Sequence, residues 1–116
     1  GYTALHQAAD LRDRAECVRE LVRGGARVDA KSSAGSTPLH LAAVAGRADS
    51  IRELLACGAD VEALARFSTT PLHFAALSNH AECVKILLEV GANTQAKDVG
   101  GNTPADHATE DVVRKL

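Results

Sequence analysis

The chain has 116 residues, with 13 Lys and Arg against 15 Asp and Glu, and a net charge of −2. This balance lacks the positive field that attracts nucleic acid or anionic lipid, so neither is expected as a partner. No run of 18 apolar residues is present, which also argues against a membrane span. The length suits a single domain over residues 1–116. Because only three residues are aromatic, the core must be aliphatic and alanine-rich, a composition that favours helices.

The cysteines argue against a disulfide framework and against a structural zinc site. Cys17, Cys57 and Cys83 are odd in number and include no Cys-x-x-Cys pair. Free thiols fit a reducing compartment, so we expect a cytoplasmic protein, with the nucleus as an alternative. The sequence indicates no cofactor.

A repeat runs through the chain. The stretches "GYTALHQAA", "GSTPLHLAA" and "STTPLHFAA" begin at Gly1, Gly35 and Ser68, and a threonine recurs at positions 3, 37, 70 and 103, at intervals of 34, 33 and 33 residues. A glycine at positions 25, 58 and 91 keeps the same step. These markers divide the chain into unit 1 (1–34), unit 2 (35–67), unit 3 (68–100) and a shortened cap (101–116).

Each unit is predicted to contain two short helices. In unit 2, Thr37 supplies an N-cap and Pro38 fits the first helical position. Gly46 tolerates a left-handed turn, as does Asn79 in unit 3. A second helix follows with apolar residues at spacings of three and four, and it ends at a glycine such as Gly58. These apolar residues are Val18, Leu21, Val22, Ile51, Leu54, Leu55, Val84, Leu87 and Leu88.

The period, the Thr-Pro-Leu-His-x-Ala-Ala motif and the Gly-Ala step resemble the ankyrin repeat family. The resemblance implies an all-α repeat solenoid of stacked helix-turn-helix units with projecting β-hairpin loops. It also implies a non-enzymatic, monomeric module that binds a protein partner on a concave surface and takes no small-molecule substrate. A structural spacer or brace within a larger protein is the alternative, and an enzyme is the weakest hypothesis because no catalytic motif is present.

The resemblance gives the recurrent histidines a structural role. In the family this histidine bonds to the backbone of adjoining loops, so His6, His40 and His73 are expected to tie units together. Metal binding or catalysis is the alternative, but no second ligand or nucleophile recurs at a useful spacing. His80 and His107 lie outside the motif and are expected to be solvated. In the cap, Asp106 stands where the histidine would be.

The resemblance also places the partner-binding residues on the loop tips and on the ends of the first helices. The predicted tip residues are Lys31, Ser33, Ala34, Ser36, Leu64, Arg66, Phe67, Thr69, Lys97, Val99 and Asn102. The predicted helix-end residues are Val44, Ala45, Leu77 and Ser78, with Asp10 and Leu11 at the equivalent place in unit 1.

The middle tip departs from the usual composition. "ALARFSTT" places Leu64, Arg66 and Phe67 in a loop, and an exposed aromatic beside arginine is typical of an interface hot spot. The alternative is that Phe67 folds back over the neighbouring hairpin. With Leu77 and Val44, the binding hypothesis predicts a small apolar patch flanked by Arg66 and Lys97.

Overall fold

Helices make up the regular structure of residues 15–107, the part of the chain that the computed structural model describes, apart from the side chains of 15–17 and 21. No strand occurs within that range, which confirms the all-α class, and none of its helices is long and apolar enough to span a bilayer. Predictions on His6, Asp10, Leu11 and the end of the cap lie outside the described residues. The helices are α1 Ala15–Arg23, α2 Pro38–Ala45, α3 Ala48–Ala56, α4 Pro71–Leu77, α5 Ala81–Glu89 and α6 Pro104–His107.

The predicted start and turn signals are confirmed in units 2 and 3. The Thr37 hydroxyl accepts a hydrogen bond from the backbone N–H of His40 at 3.4 Å, and Pro38 opens α2. Thr70 caps α4 in the same way. The turns between paired helices contain the left-handed residues Gly46 (φ 74°) and Asn79 (φ 56°). Units 2 and 3 therefore fold their helix pairs from local signals.

The helices form two layers. The first helices α2, α4 and α6 pack side by side, and the second helices α1, α3 and α5 form the other layer. Aliphatic side chains that are essentially inaccessible to solvent fill the space between the layers, and they include Leu39, Ile51, Leu54, Leu72 and Leu87. The alanine pairs at 42–43 and 75–76 are also buried, which lets neighbouring first helices approach closely.

The loops that join the units turn back on themselves at their tips. An equivalent backbone hydrogen bond from N–H to carbonyl closes each tip: Ser32 to Ser36 at 2.9 Å, Ala65 to Thr69 at 2.8 Å and Asp98 to Asn102 at 3.0 Å. Ala65 and Thr69 form an antiparallel bridge. Within residues 15–107, the predicted hairpin loops are thus minimal hairpins without strands.

The middle tip, residues 64–69, has an unusual backbone. Gly35 and Gly101 take left-handed conformations at equivalent positions in the tips on either side, with φ of 79° and 77°. In unit 3 that position is Ser68 (φ 59°), and the preceding Phe67 is also left-handed (φ 64°). Left-handed backbone costs a non-glycine residue roughly 1–2 kcal/mol, so this tip holds two strained residues in succession.

Exchanging serine and glycine at this position should change stability in opposite directions. Ser68→Gly relieves the left-handed strain but increases the entropy of the unfolded chain, so we expect the free energy of unfolding to rise by about 0.5 kcal/mol. Gly101→Ser is the matched control, because a Cβ there meets no atom within 4 Å and only backbone strain is added. It should lower the free energy of unfolding by about 1 kcal/mol. Urea unfolding of both variants tests this, and a stabilised Gly101→Ser variant would contradict it.

Candidate functional site

His40 joins two units through its two ring nitrogens. The ring is fully buried, and its Nδ1 accepts the backbone N–H of Thr37 at 3.1 Å. Since Nδ1 accepts, the neutral ring carries its proton on Nε2, which donates to the carbonyl of Thr69 in the next tip at 3.0 Å. Burial lowers the pKa of His40 to about 4. The ring is therefore neutral at physiological pH, as both hydrogen bonds require.

His73 repeats this arrangement one unit further on. Its Nδ1 accepts the Thr70 N–H at 3.1 Å, and its Nε2 donates to the Asn102 carbonyl at 2.9 Å. The structural role expected of the motif histidine is thus confirmed at His40 and His73, and the equivalent His6 lies outside the described residues.

Asp106 reproduces half of this arrangement in the cap. Its Oδ2 accepts hydrogen bonds from the backbone N–H of Thr103 at 2.9 Å and from the Thr103 hydroxyl at 3.1 Å. These bonds hold the pKa of Asp106 below its usual range. The carboxylate therefore caps α6 as the imidazoles cap α2 and α4, although it has no N–H to donate to a further tip.

His107 was expected to be solvated, and this expectation is wrong. Its side chain is 27% exposed, and its Nε2 donates to Asp98 Oδ2 at 2.7 Å. Asp98 Oδ1 accepts the N–H groups of Gly100 and Asn102 at 2.9 and 3.0 Å. The His107 bond first, and the backbone bonds next, lower the pKa of Asp98. The pair fastens α6 to the last tip. His107 is the last residue of α6, and Asp98 accepts the backbone N–H groups of that tip.

His73, Asp98 and His107 form the one group of described side chains with metal-ligand chemistry. Their candidate ligand atoms lie within 4.8 Å of one another. Both nitrogens of His73 are already committed, however, one as an acceptor of a backbone N–H and the other as a donor to a carbonyl. A metal ligand needs a free lone pair, so this hydrogen-bonded cluster closes the stack and is a poor cation site.

His80 was also expected to be solvated, and the structure corrects this. Its Nε2 donates to the carbonyl of Val44 in the preceding unit at 3.0 Å. The ring lies so close to Gly46 that a Cβ there would be 2.8 Å from its Cε1 atom. His80 thus ties the turn of unit 3 to the end of α2, a contact that no sequence pattern indicated because the other units have no equivalent histidine.

Backbone and side-chain contacts join successive tips into a continuous ridge. Lys31 Nζ donates to the carbonyl of Leu64 at 3.0 Å, and the N–H of Val99 donates to the carbonyl of Phe67 at 3.0 Å. We call residues 31–36, 64–69 and 97–102 together the tip row. The histidine bonds to Thr69 and Asn102 anchor this row to the first helices.

Most of the predicted tip residues are exposed. Phe67 is 65% exposed, and its carbonyl accepts the N–H of Val99 in the neighbouring tip at 3.0 Å. Thr69 is half-buried, with its hydroxyl donating to the Arg66 carbonyl at 2.8 Å. The remaining exposed members of the predicted set are Lys31, Ser33, Ala34, Leu64, Arg66, Lys97, Val99 and Asn102.

Ser36 is an exception among the predicted tip residues. It is 9% exposed, its N–H donates to Ser32 Oγ at 3.3 Å and its carbonyl closes the tip. It precedes the capping threonine, where the chain enters the core. Ser36 therefore offers little surface to a partner.

The predicted helix-end residues lie at the far ends of the first helices. Since α2 and α4 have eight and seven residues, these ends are about 10–12 Å from the tip row. Val44 and Leu77 are 43% and 54% exposed, whereas Ala45 and Ser78 are partly buried. Between them and the tips, Phe74 is partly buried with its ring edge-on to His40 at 5.1 Å, as expected for a packing residue.

A stack of paired helices with tips held by imidazole bridges defines a helical repeat protein. A family model described as ankyrin repeats (3 copies) matches residues 1–65, and one described as ankyrin repeats (many copies) matches residues 54–108. The chain belongs to the ankyrin repeat family. No curated protein matches it closely enough to count as a relative. Ankyrin repeats are in general protein–protein interaction modules and are typically not enzymes.

The neutral state required of His40 predicts an acid-sensitive stack. The unfolded chain takes up this proton near the ordinary pKa of 6.5, and the folded chain only near pH 4. Full stability therefore exists above pH 6.5 and declines as the pH falls towards 4, by about 3 kcal/mol through this one group.

Urea unfolding between pH 7 and pH 4.5 measures this effect. His40→Ala should reduce the slope of unfolding free energy against pH by about 1 kcal/mol per pH unit, averaged over that window. Leu39→Ala is the control on the same helix, since it removes a buried side chain without a titrating group and should leave the slope of the wild type. Equal slopes for His40→Ala and the wild type would refute the prediction.

Proposed function

We propose that this chain is a non-enzymatic scaffold or adaptor module that binds a partner protein along the tip row and the exposed ends of the first helices. The exposed ring of Phe67 carries the proposal, because it is held away from the core on a left-handed backbone. Strained backbone of this kind is often retained at binding sites. An aromatic side chain beside arginine has the composition of an interface hot spot.

The rigidity of the tip row supports this role. Hydrogen bonds from His40 and His73 fix the tips to the first helices, and further bonds join one tip to the next. A partner that docks on such a surface does not have to order it, so less of the contact energy is lost on binding. A few apolar contacts can then give useful affinity.

The chemistry of the remaining groups agrees with a binding module in a reducing compartment. The motif histidines of units 2 and 3 are committed to backbone bonds. Cys57 and Cys83 are free thiols, and burial raises the pKa of Cys83 to about 11, which makes it a weak nucleophile. We propose a cytoplasmic monomer on this basis, with the nucleus as the alternative compartment.

A pair of truncations tests the proposed surface. Phe67→Ala with Leu77→Ala removes two exposed side chains, and we expect it to weaken a captured partner by about 2 kcal/mol, roughly 30-fold. Val90→Ala is the control, because Val90 is 49% exposed but follows a second helix. Affinity capture followed by titration of the recovered partner measures the effect.

Thermal unfolding of the same variants separates binding from bracing. Exposed truncations should change stability by less than about 0.5 kcal/mol. Loss of partner binding with unchanged stability supports the proposal. A partner retained by the double variant but lost with Val90→Ala would place binding on the second-helix layer. If the variants lose stability and the wild type itself captures no partner, the structural brace is favoured.

A further inference from the structure

We infer that the tip row recognises an extended peptide segment in which carboxylates recur about every three residues, with apolar side chains between them. The inference rests on the proposed function and specifies its partner. Its basis is the separation of charge between the tip row and the rest of the described chain.

The tip row has an excess of cationic side chains although the whole protein is slightly acidic. Lys31, Arg66 and Lys97 are exposed, one in each successive tip, and none forms an ion pair with a carboxylate of residues 15–107. The single carboxylate of the row, Asp98, has an 8% exposed side chain and already accepts three hydrogen bonds. The described part of this row therefore presents positive charge without exposed negative charge.

The second-helix layer carries both signs. Arg19 pairs with Glu53 across units, and Arg52 pairs with Asp49 and with Glu82 at 3.0 Å each. The Arg19–Glu53 and Arg52–Glu82 pairs link neighbouring second helices, the Arg52–Asp49 pair lies within α3, and the described part of this layer has no single-sign stripe. An acidic peptide segment would thus find complementary charge on the tip row and not on the second-helix layer.

The stacking distance sets the spacing of the carboxylates. Packed helices lie about 8–10 Å apart, so consecutive tips recur at about that interval. An extended chain advances about 3.3 Å per residue, which corresponds to about three residues per unit. A segment lying along the row would meet one cation in each unit if acidic residues follow that spacing.

Exposed apolar side chains share the tip row with these cations. Leu64, Phe67 and Val99 are 48%, 65% and 69% exposed. Apolar contact adds affinity that three surface charges alone would not provide, since exposed ion pairs contribute about 0–1 kcal/mol each. Two of the three are aliphatic and offer no face for base stacking, which favours a peptide over single-stranded nucleic acid.

Selection from a displayed library of random peptides about twelve residues long tests the inference, because that length crosses the three tips. The wild type should enrich peptides with Asp or Glu about three residues apart and apolar residues between. A selected peptide should bind the tip variant Arg66→Glu at least about ten-fold more weakly, and its affinity should fall with added salt.

Lys85→Glu is the matched control, because Lys85 is an exposed cation on α5 in the other layer and forms no ion pair with a described carboxylate. It should bind the peptide as the wild type does. Circular dichroism melts of all variants establish that they are folded. Equal weakening by Lys85→Glu and by the tip variant would mean that only net charge matters, which would overturn the inference.

The remaining outcomes distinguish the inference from the proposed function. Selected peptides that depend on Phe67 but carry no acidic excess overturn the inference alone. Peptides that depend on neither Phe67 nor Arg66, or a selection that recovers none, count against both. A labelled oligothymidine that binds more tightly than the selected peptides and is released by the tip variant would also overturn the inference, by identifying nucleic acid as the ligand.

Discussion

The stack depends on a neutral imidazole that accepts on one side and donates on the other. At His40 and His73, Nδ1 receives the N–H of the capping threonine while Nε2 holds a carbonyl of the next tip. One buried ring thus satisfies a helix terminus and positions a loop in the next unit. Protonation of His40 would place a hydrogen on Nδ1 opposite the Thr37 N–H, so the helix-capping bond would be lost while Nε2 could still donate to the next tip.

Local signals made much of the fold predictable from the sequence. Thr37 and Pro38 begin a helix whichever unit follows, and Gly46 permits the turn after it, because these effects act within a few residues. The period then placed equivalent residues in rows. The left-handed backbone of Ser68 had a readable signal, since Ser68 occupies a position that is glycine in the flanking tips, whereas that of Phe67 had none.

The features that sequence reasoning missed are contacts across units made by residues without repeat equivalents. His80 reaches back to Val44, and His107 bonds a carboxylate nine positions earlier. Neither partner is set by local spacing, so both were assigned to solvent. Ser36 was misjudged for a related reason: tip membership follows from the repeat, but burial depends on how the loop re-enters the core.

In each tip the backbone makes the stabilising bonds and most side chains do not, which explains how such a stack can acquire binding selectivity without losing stability. The atoms that hold a tip in place belong to its backbone: the Thr69 and Asn102 carbonyls receive the histidine bonds, and the Phe67 carbonyl receives the Val99 N–H. Most side chains at the crest of the tip take no part in these bonds. The chain can therefore place Arg66 and Phe67 in the middle tip where the preceding tip has Ser33 and Ala34, and change what the ridge binds while the ridge itself stays fixed.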